Sequence, residues 1–178
     1  MAWTLAMILV FGEAADDVLR AVRMADRDDD PVPFRDLVDG PGAPRPGLGE
    51  IDGWTVLLDP GLVLPDQAGI VHRATEGRHG YAFLWERASA TYGLGVHEDG
   101  IRTRTMIRSA GAVAADEGEA LPEESGLDFD ADPAAALDEL CGRLTGVELS
   151  DDATWSAPMH PLRLRPRRQP APRSGAVG

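Results

Sequence analysis

Three aspartates alternate along Asp128-Phe129-Asp130-Ala131-Asp132, and Glu139 stands eleven residues after Asp128. Acids at alternate positions with a glutamate at the twelfth are the oxygen donors of a calcium loop. The sixth place of such a loop needs glycine for its sharp turn, and here it holds Pro133. Proline also fixes a helical φ, so the segment predicts a helix start, with Asp132 as N-cap and Pro133 at N1. Histidines 72, 79, 97 and 160 show no metal-ligand spacing, and no His-Glu-x-x-His is present. Glycines 40, 42, 47 and 49 alternate with prolines without the Gly-x-Gly-x-x-Gly or Gly-Lys-Ser/Thr of a phosphate loop, so they read as a linker. Cys141, the single cysteine, falls on the apolar stripe of a predicted helix and reads as a small buried hydrophobe. Arg102, Arg104 and Arg108 occupy even positions of one predicted strand and are therefore expected on one face. Such a face is the anion- or ligand-binding candidate, able to grip a phosphate or carboxylate, or else to pair with the chain's own acids. No catalytic residue, metal ligand or cofactor is assigned.

The elements that would position these residues follow from hydrophobic period. Trp3 to Phe11 is a short apolar run stopped by Gly12, as a buried strand would be. Ala15, Val18, Leu19, Val22 and Ala25 then recur at helical spacing, with the helix expected to end at Arg27-Asp28-Asp29-Asp30-Pro31. An irregular stretch is expected to about Gly53, a strand at Trp54 to Asp59, and a short helix from Pro65 to Glu76 with Pro65 in its first turn. Tyr81-x-Phe83-x-Trp85 and Tyr92-x-Leu94-x-Val96 alternate cleanly, and His97-Glu98-Asp99-Gly100 is a hairpin turn leading to Ile101 to Ile107. Residues 109–131 predict a loop. A helix follows from Pro133, with Leu137, Leu140, Cys141 and Leu144 as its buried stripe and Gly146 at its end. Together these predict an α+β fold, a mostly antiparallel sheet with two or three helices packed on one face.

The 178 residues suffice for one core, and the formal net charge is −13. All 17 basic residues are arginine, with no lysine or asparagine anywhere. Residues 163–178 hold five of the arginines, three prolines and no acid, which leaves −18 on residues 1–162. Residues 1–162 are therefore expected to form a single domain and 163–178 a disordered tail. The acidity argues against a generic nucleic-acid or anionic-membrane partner. The apolar opening lacks a basic n-region and runs at once into Glu13, Asp16 and Asp17, so it does not read as a signal peptide. One cysteine and no apolar run long enough to span a bilayer fit a cytoplasmic chain.

The order of several of these pieces resembles a known family. They are Val10-Phe11-Gly12, Val18-Leu19-Arg20, Gly53-Trp54-Thr55-Val56, Tyr81-x-Phe83-x-Trp85 with Tyr92, and Glu98-Asp99-Gly100. Phe129-x-x-Asp132-Pro133-x-x-x-Leu137 and Leu144-Thr145-Gly146-Val147-Glu148-Leu149 complete the series. Over residues 3–155 the chain is similar to an uncharacterised domain family of high-GC Gram-positive bacteria. The resemblance implies a fold and supplies no catalytic residues. From composition the expected function is a non-enzymatic, cytoplasmic protein-binding or regulatory domain, in one form an immunity-type inhibitor of a basic toxin or nuclease. The alternative is a small ligand-binding or enzymatic domain that uses the arginine-lined sheet face.

Overall fold

β1 (Thr4–Phe11) is buried on both sides from Leu5 to Val10, as its unbroken apolar sequence requires of a strand at the centre of a sheet. The computed structural model describes residues 4–23, 25–64 and 66–165. In it β1 lies antiparallel between β5 (Trp54–Pro60) and β6 (His79–Glu86), with Ile8 opposite Leu57 on one side and Ala82 on the other. β6 continues as a meander through β7 (Thr91–Glu98), β8 (Ile101–Ser109) and β9 (Ala112–Glu117). On the far side of β5 come β4 (Gly47–Ile51) and β10 (Pro158–Leu164). β2 (Ala25–Arg27) and β3 (Val32–Pro33) both pair with the outer edge of β10. Every strand pairing is antiparallel, and the α+β class is as the sequence predicts.

Period two divides the apolar side chains between two cores. Leu5, Met7 and Leu9 point to one face with Tyr81, Phe83, Trp85, Leu94 and Val96. α4 (Pro133–Thr145) covers that face through Leu137, Leu140 and Cys141, and α2 (Phe34–Val38) and α5 (Asp152–Ser156) extend the cover. Ile8, Val10 and Leu57 point the other way, under α1 (Ala15–Val22) and α3 (Gln67–Ala74). Helices therefore lie on both faces and not on one, because the central strands are apolar on both sides and each side must be shielded from water. Burying each large side chain of the meander contributes about 1.5–3 kcal/mol.

The meander, its Asp99-Gly100 turn and α4 are as expected. Asp132 accepts from the Ala135 amide at 3.0 Å, and Gly146 closes the helix in the left-handed region. Cys141 is fully buried, and burial pushes its thiol up to about 12. Four expectations are corrected. α1 stops at Val22, where Arg23 turns left-handed, and Ala25–Arg27 becomes a strand because β10 offers it a ladder that helical period cannot reveal. The stretch before Gly53 holds β3, α2 and β4, and 109–131 holds β9, reached through a tight turn at Ala110-Gly111. β10 runs to Leu164, two residues past the boundary set at 162, with Arg163 opposite Asp26 and Arg165 ion-paired to Asp26 at 2.5 Å. The start of the first strand at Trp3, the helical placement of Pro65 and the tail from 166 onward lie outside the described residues.

Candidate functional site

β8 does not present its three arginines together. Val96 pairs with Arg104, but His97 pairs with Arg102, so the register slips by one residue between them. An extra residue in a strand reverses the alternation beyond it. Arg104 and Arg108 consequently face the α4 side, and Arg102 lines the opposite face with Thr105 and Ile107. Period two places all three on one face only for an unbulged strand, and this strand is bulged.

Arg104 is 4% exposed and its guanidinium is consumed by the chain itself. It donates as a fork to Glu124, at 2.9 and 2.8 Å, and also to Asp116 and to the Glu117 carbonyl at 3.1 Å. Burial pushes the Glu124 carboxyl up, but the Arg104 guanidinium and the Leu121 amide more than offset it, and the net direction is down. Arg108 reaches Asp116 at 3.5 Å and Asp130 at 3.8 Å. Arg143 of α4 donates to the carbonyls of Glu123 and Ser125. These arginines bind intramolecular carboxylates and carbonyls and fasten the 116–132 segment against the sheet.

That segment is the most acidic part of the chain. Asp116, Glu117, Glu119, Glu123, Glu124, Asp128, Asp130 and Asp132 fall within it, and no basic residue stands between Arg108 and Arg143. It begins in β9, the last strand of the sheet on this side, whose residues are almost all exposed and whose outer edge has no neighbouring strand among the described residues. Asp128 closes its own turn by accepting from the amides of Asp130 and Ala131.

A groove opens on the other face, beside α3. Ala6 of β1, Ala82 of β6, and Gly93 and Gly95 of β7 make its floor, with Val71 of α3 on one side and Ile107 of β8 on the other. Its volume is about 260 Å³. His97 and Arg102 stand at its polar end. His97 is 8% exposed, and burial, with the positive Arg102 and His72 nearby, lowers its pKa to about 4. Its Nδ1 is buried with no hydrogen-bond partner. Sequence reasoning set this histidine aside because the four histidines show no metal-ligand spacing and His97 opens the expected hairpin turn. The available signal was the pair of glycines inside an otherwise regular strand.

A second arginine cluster, Arg20, Arg23, Arg73 and Arg78, lines a cleft between α1 and α3. Arg20 and Arg78 share Asp17, and Arg73 donates to the Ala21 carbonyl at the end of α1, at 2.9 Å. Arg20, Arg23 and Arg73 stand at the negative ends of α1 and α3, while Arg78 is paired to Asp17 in the first turn of α1. No protein-family model, curated protein or solved structure matches the chain.

Proposed function

We propose that the chain is a non-enzymatic, cytoplasmic binding domain that takes a basic segment of a protein partner on its acidic sheet edge, as an immunity-type inhibitor of a basic toxin would. One observation carries this reading. Among the described residues β9 ends the sheet with its outer edge open, beside a segment bearing eight carboxylates and no basic residue. An open edge offers backbone donors and acceptors to an extended segment, and the carboxylates select one that is rich in arginine or lysine. Arg104, Arg108 and Arg143 hold the acidic segment in place before any partner arrives, which lowers the ordering cost of binding. The net charge of −13 steers a cationic partner toward the surface and repels nucleic acid. No helix among the described residues is long and apolar enough to cross a membrane.

Charged residues also guard sheet edges against unwanted pairing, which is the competing account of the same acids. Titration of ¹⁵N-labelled protein with an arginine-rich peptide separates the two. Amide shifts concentrated in residues 112–124, and a loss of affinity of about tenfold or more in the double variant Glu117→Arg, Glu119→Arg, are the expected results. Shifts spread equally over distant acids such as Asp29, Asp30 and Asp36, or an affinity that ignores the double variant, would leave the edge with a guarding role alone.

A further inference from the structure

Glycine within a strand costs stability, so its presence needs a reason. At Gly93 and Gly95 the usual reasons fail. Neither residue adopts a positive φ. A Cβ at Gly93 would meet nothing closer than 3.4 Å. One at Gly95 would meet no backbone atom but the His97 ring at 3.3 Å and the Ala82 methyl at 3.8 Å, so that only the ring would have to give slightly. A methyl would fit at Gly93, and at Gly95 once the His97 ring gives way, so the absence of both keeps the floor of the groove open. Ala82 lies opposite Gly95 in the ladder and widens the same depression.

The polar end fixes what the groove can hold. A buried lone pair is cheaper to leave unpartnered than a buried N–H, so the neutral His97 ring leaves Nδ1 bare and carries its proton on Nε2. Nε2 is the ring atom nearest the open space above Gly95. Arg102 adds a guanidinium that is half exposed and, among the described residues, held by a 3.8 Å ion pair to Glu117. Two donors and one positive charge therefore face an apolar cavity of about 260 Å³, at the small end of ligand pockets.

We propose that this groove binds a small monocarboxylic acid with a compact apolar body. The carboxylate accepts from His97 Nε2 and from Arg102, displacing Glu117, and the apolar body lies over Ala6, Ala82, Gly93 and Gly95. A phosphate dianion would leave one charge unmatched, and a peptide is too large for the volume. The site shares Glu117 with the acidic edge of β9, but its tests read the amides of Gly93, Gly95 and His97 on the groove floor, so its failure leaves the docking reading untouched.

Octanoate and phenylacetate are the probes, followed by amide shifts and by thermal stabilisation, with octanol, inorganic phosphate and an acetylated tripeptide ending in leucine as comparisons. The expected result is saturable binding of at least one acid that moves the amides of Gly93, Gly95 and His97. Octanol and phosphate should bind at least about tenfold more weakly, and Arg102→Gln should cost the acid a similar factor. Gly95→Val, which fills the floor, should abolish binding. Should that variant not fold, Ala82→Leu closes the same space from the neighbouring strand. The proposal is overturned if neither acid moves these amides, if octanol binds as well as octanoate, if Arg102→Gln or the filled groove binds normally, or if the tripeptide binds more tightly than both acids.

Discussion

The tripeptide Gly-Leu-Gly occurs twice, as Gly47-Leu48-Gly49 in β4 and as Gly93-Leu94-Gly95 in β7, and the two copies serve opposite ends. In β4 the glycines are forced by packing. A Cβ at Gly49 would stand 2.7 Å from the Pro158 carbonyl and 2.5 Å from the Met159 sulfur, and one at Gly47 would overlap the Leu37 side chain. In β7 a Cβ would find ordinary space at Gly93 and, at Gly95, the edge of the His97 ring at 3.3 Å in place of backbone. The leucines repeat the contrast, since Leu48 points into the core under α1 and Leu94 into the core under α4. The same three residues thus make a close strand approach in one place and an uncovered groove in the other. What decides is the neighbour that the topology supplies.

Gly49→Ala should break the comparison most forcefully. The new methyl meets the backbone of β10, which cannot rotate aside, so a loss of about 3 kcal/mol or more is expected in urea melts. A loss under about 1 kcal/mol would mean that β10 can retreat, and the packing account of this glycine would fail.

An effect of similar size is expected at His97, beside the open copy. Burial lowers its folded-state pKa to about 4 from the ordinary 6.5, with Arg102 of β8 and His72 of α3 opposing the proton. As pH falls the unfolded chain takes up the proton first, so this contribution is complete above pH 6.5 and is lost between 6.5 and about 4. The loss amounts to about 3 kcal/mol. Burial raises the Asp59 and Asp138 carboxyls, which act with the opposite sign, but they are common to wild type and to His97→Gln. The difference between the two proteins, measured at pH 7 and pH 4, should therefore isolate the imidazole. Parallel losses in both would show that the ring is not held neutral.

Gly47→Ala should be milder than Gly49→Ala, at about 1–2 kcal/mol, because the obstacle is the tip of a leucine that can change rotamer. Gly93→Ala should be smallest, within about 0.5 kcal/mol of wild type and of either sign, since the lost backbone freedom of glycine favours alanine. A cost at Gly93 equal to that at Gly49 would erase the distinction between the two copies.

The same contrast explains what could be read from the sequence. β6 and β7 were legible because Tyr81, Phe83 and Trp85 alternate with smaller residues and pair with Val96, Leu94 and Tyr92 across the Arg87–Ala90 turn, and the Asp99-Gly100 turn then announces the hairpin from β7 to β8. α4 was legible because its cap, its proline and its terminal glycine are local signals. β4 was missed because two of its five residues are glycine and its apolar period is weak. The overlooked signal is Asp52-Gly53, both at positive φ, which turns it into β5 as a two-residue hairpin, and β10 adds the second ladder. β9 is built of alanine, valine and acids and is entered through Ala110-Gly111, which lacks the asparagine or aspartate that advertises a hairpin. The candidate arginines show the limit of counting by twos. Arg104 and Arg108 could be paired correctly, but the bulge that sends Arg102 to the groove depends on how β7 and β8 meet.

The place of β10 sets a timetable for biosynthesis. Among the described residues it is the last strand of this sheet to be made, yet it lies inside the sheet, between β4 and the pair β2 and β3. At ribosomal speeds of about 5–20 residues per second, the roughly one hundred residues between Ile51 and Pro158 take about 5–20 s to appear. Throughout that interval β4 has β5 on one side and no partner strand on the other. The nascent chain therefore carries a glycine-rich, unpaired edge that the finished protein conceals, and chaperone demand should peak before β10 is made and fall once it docks.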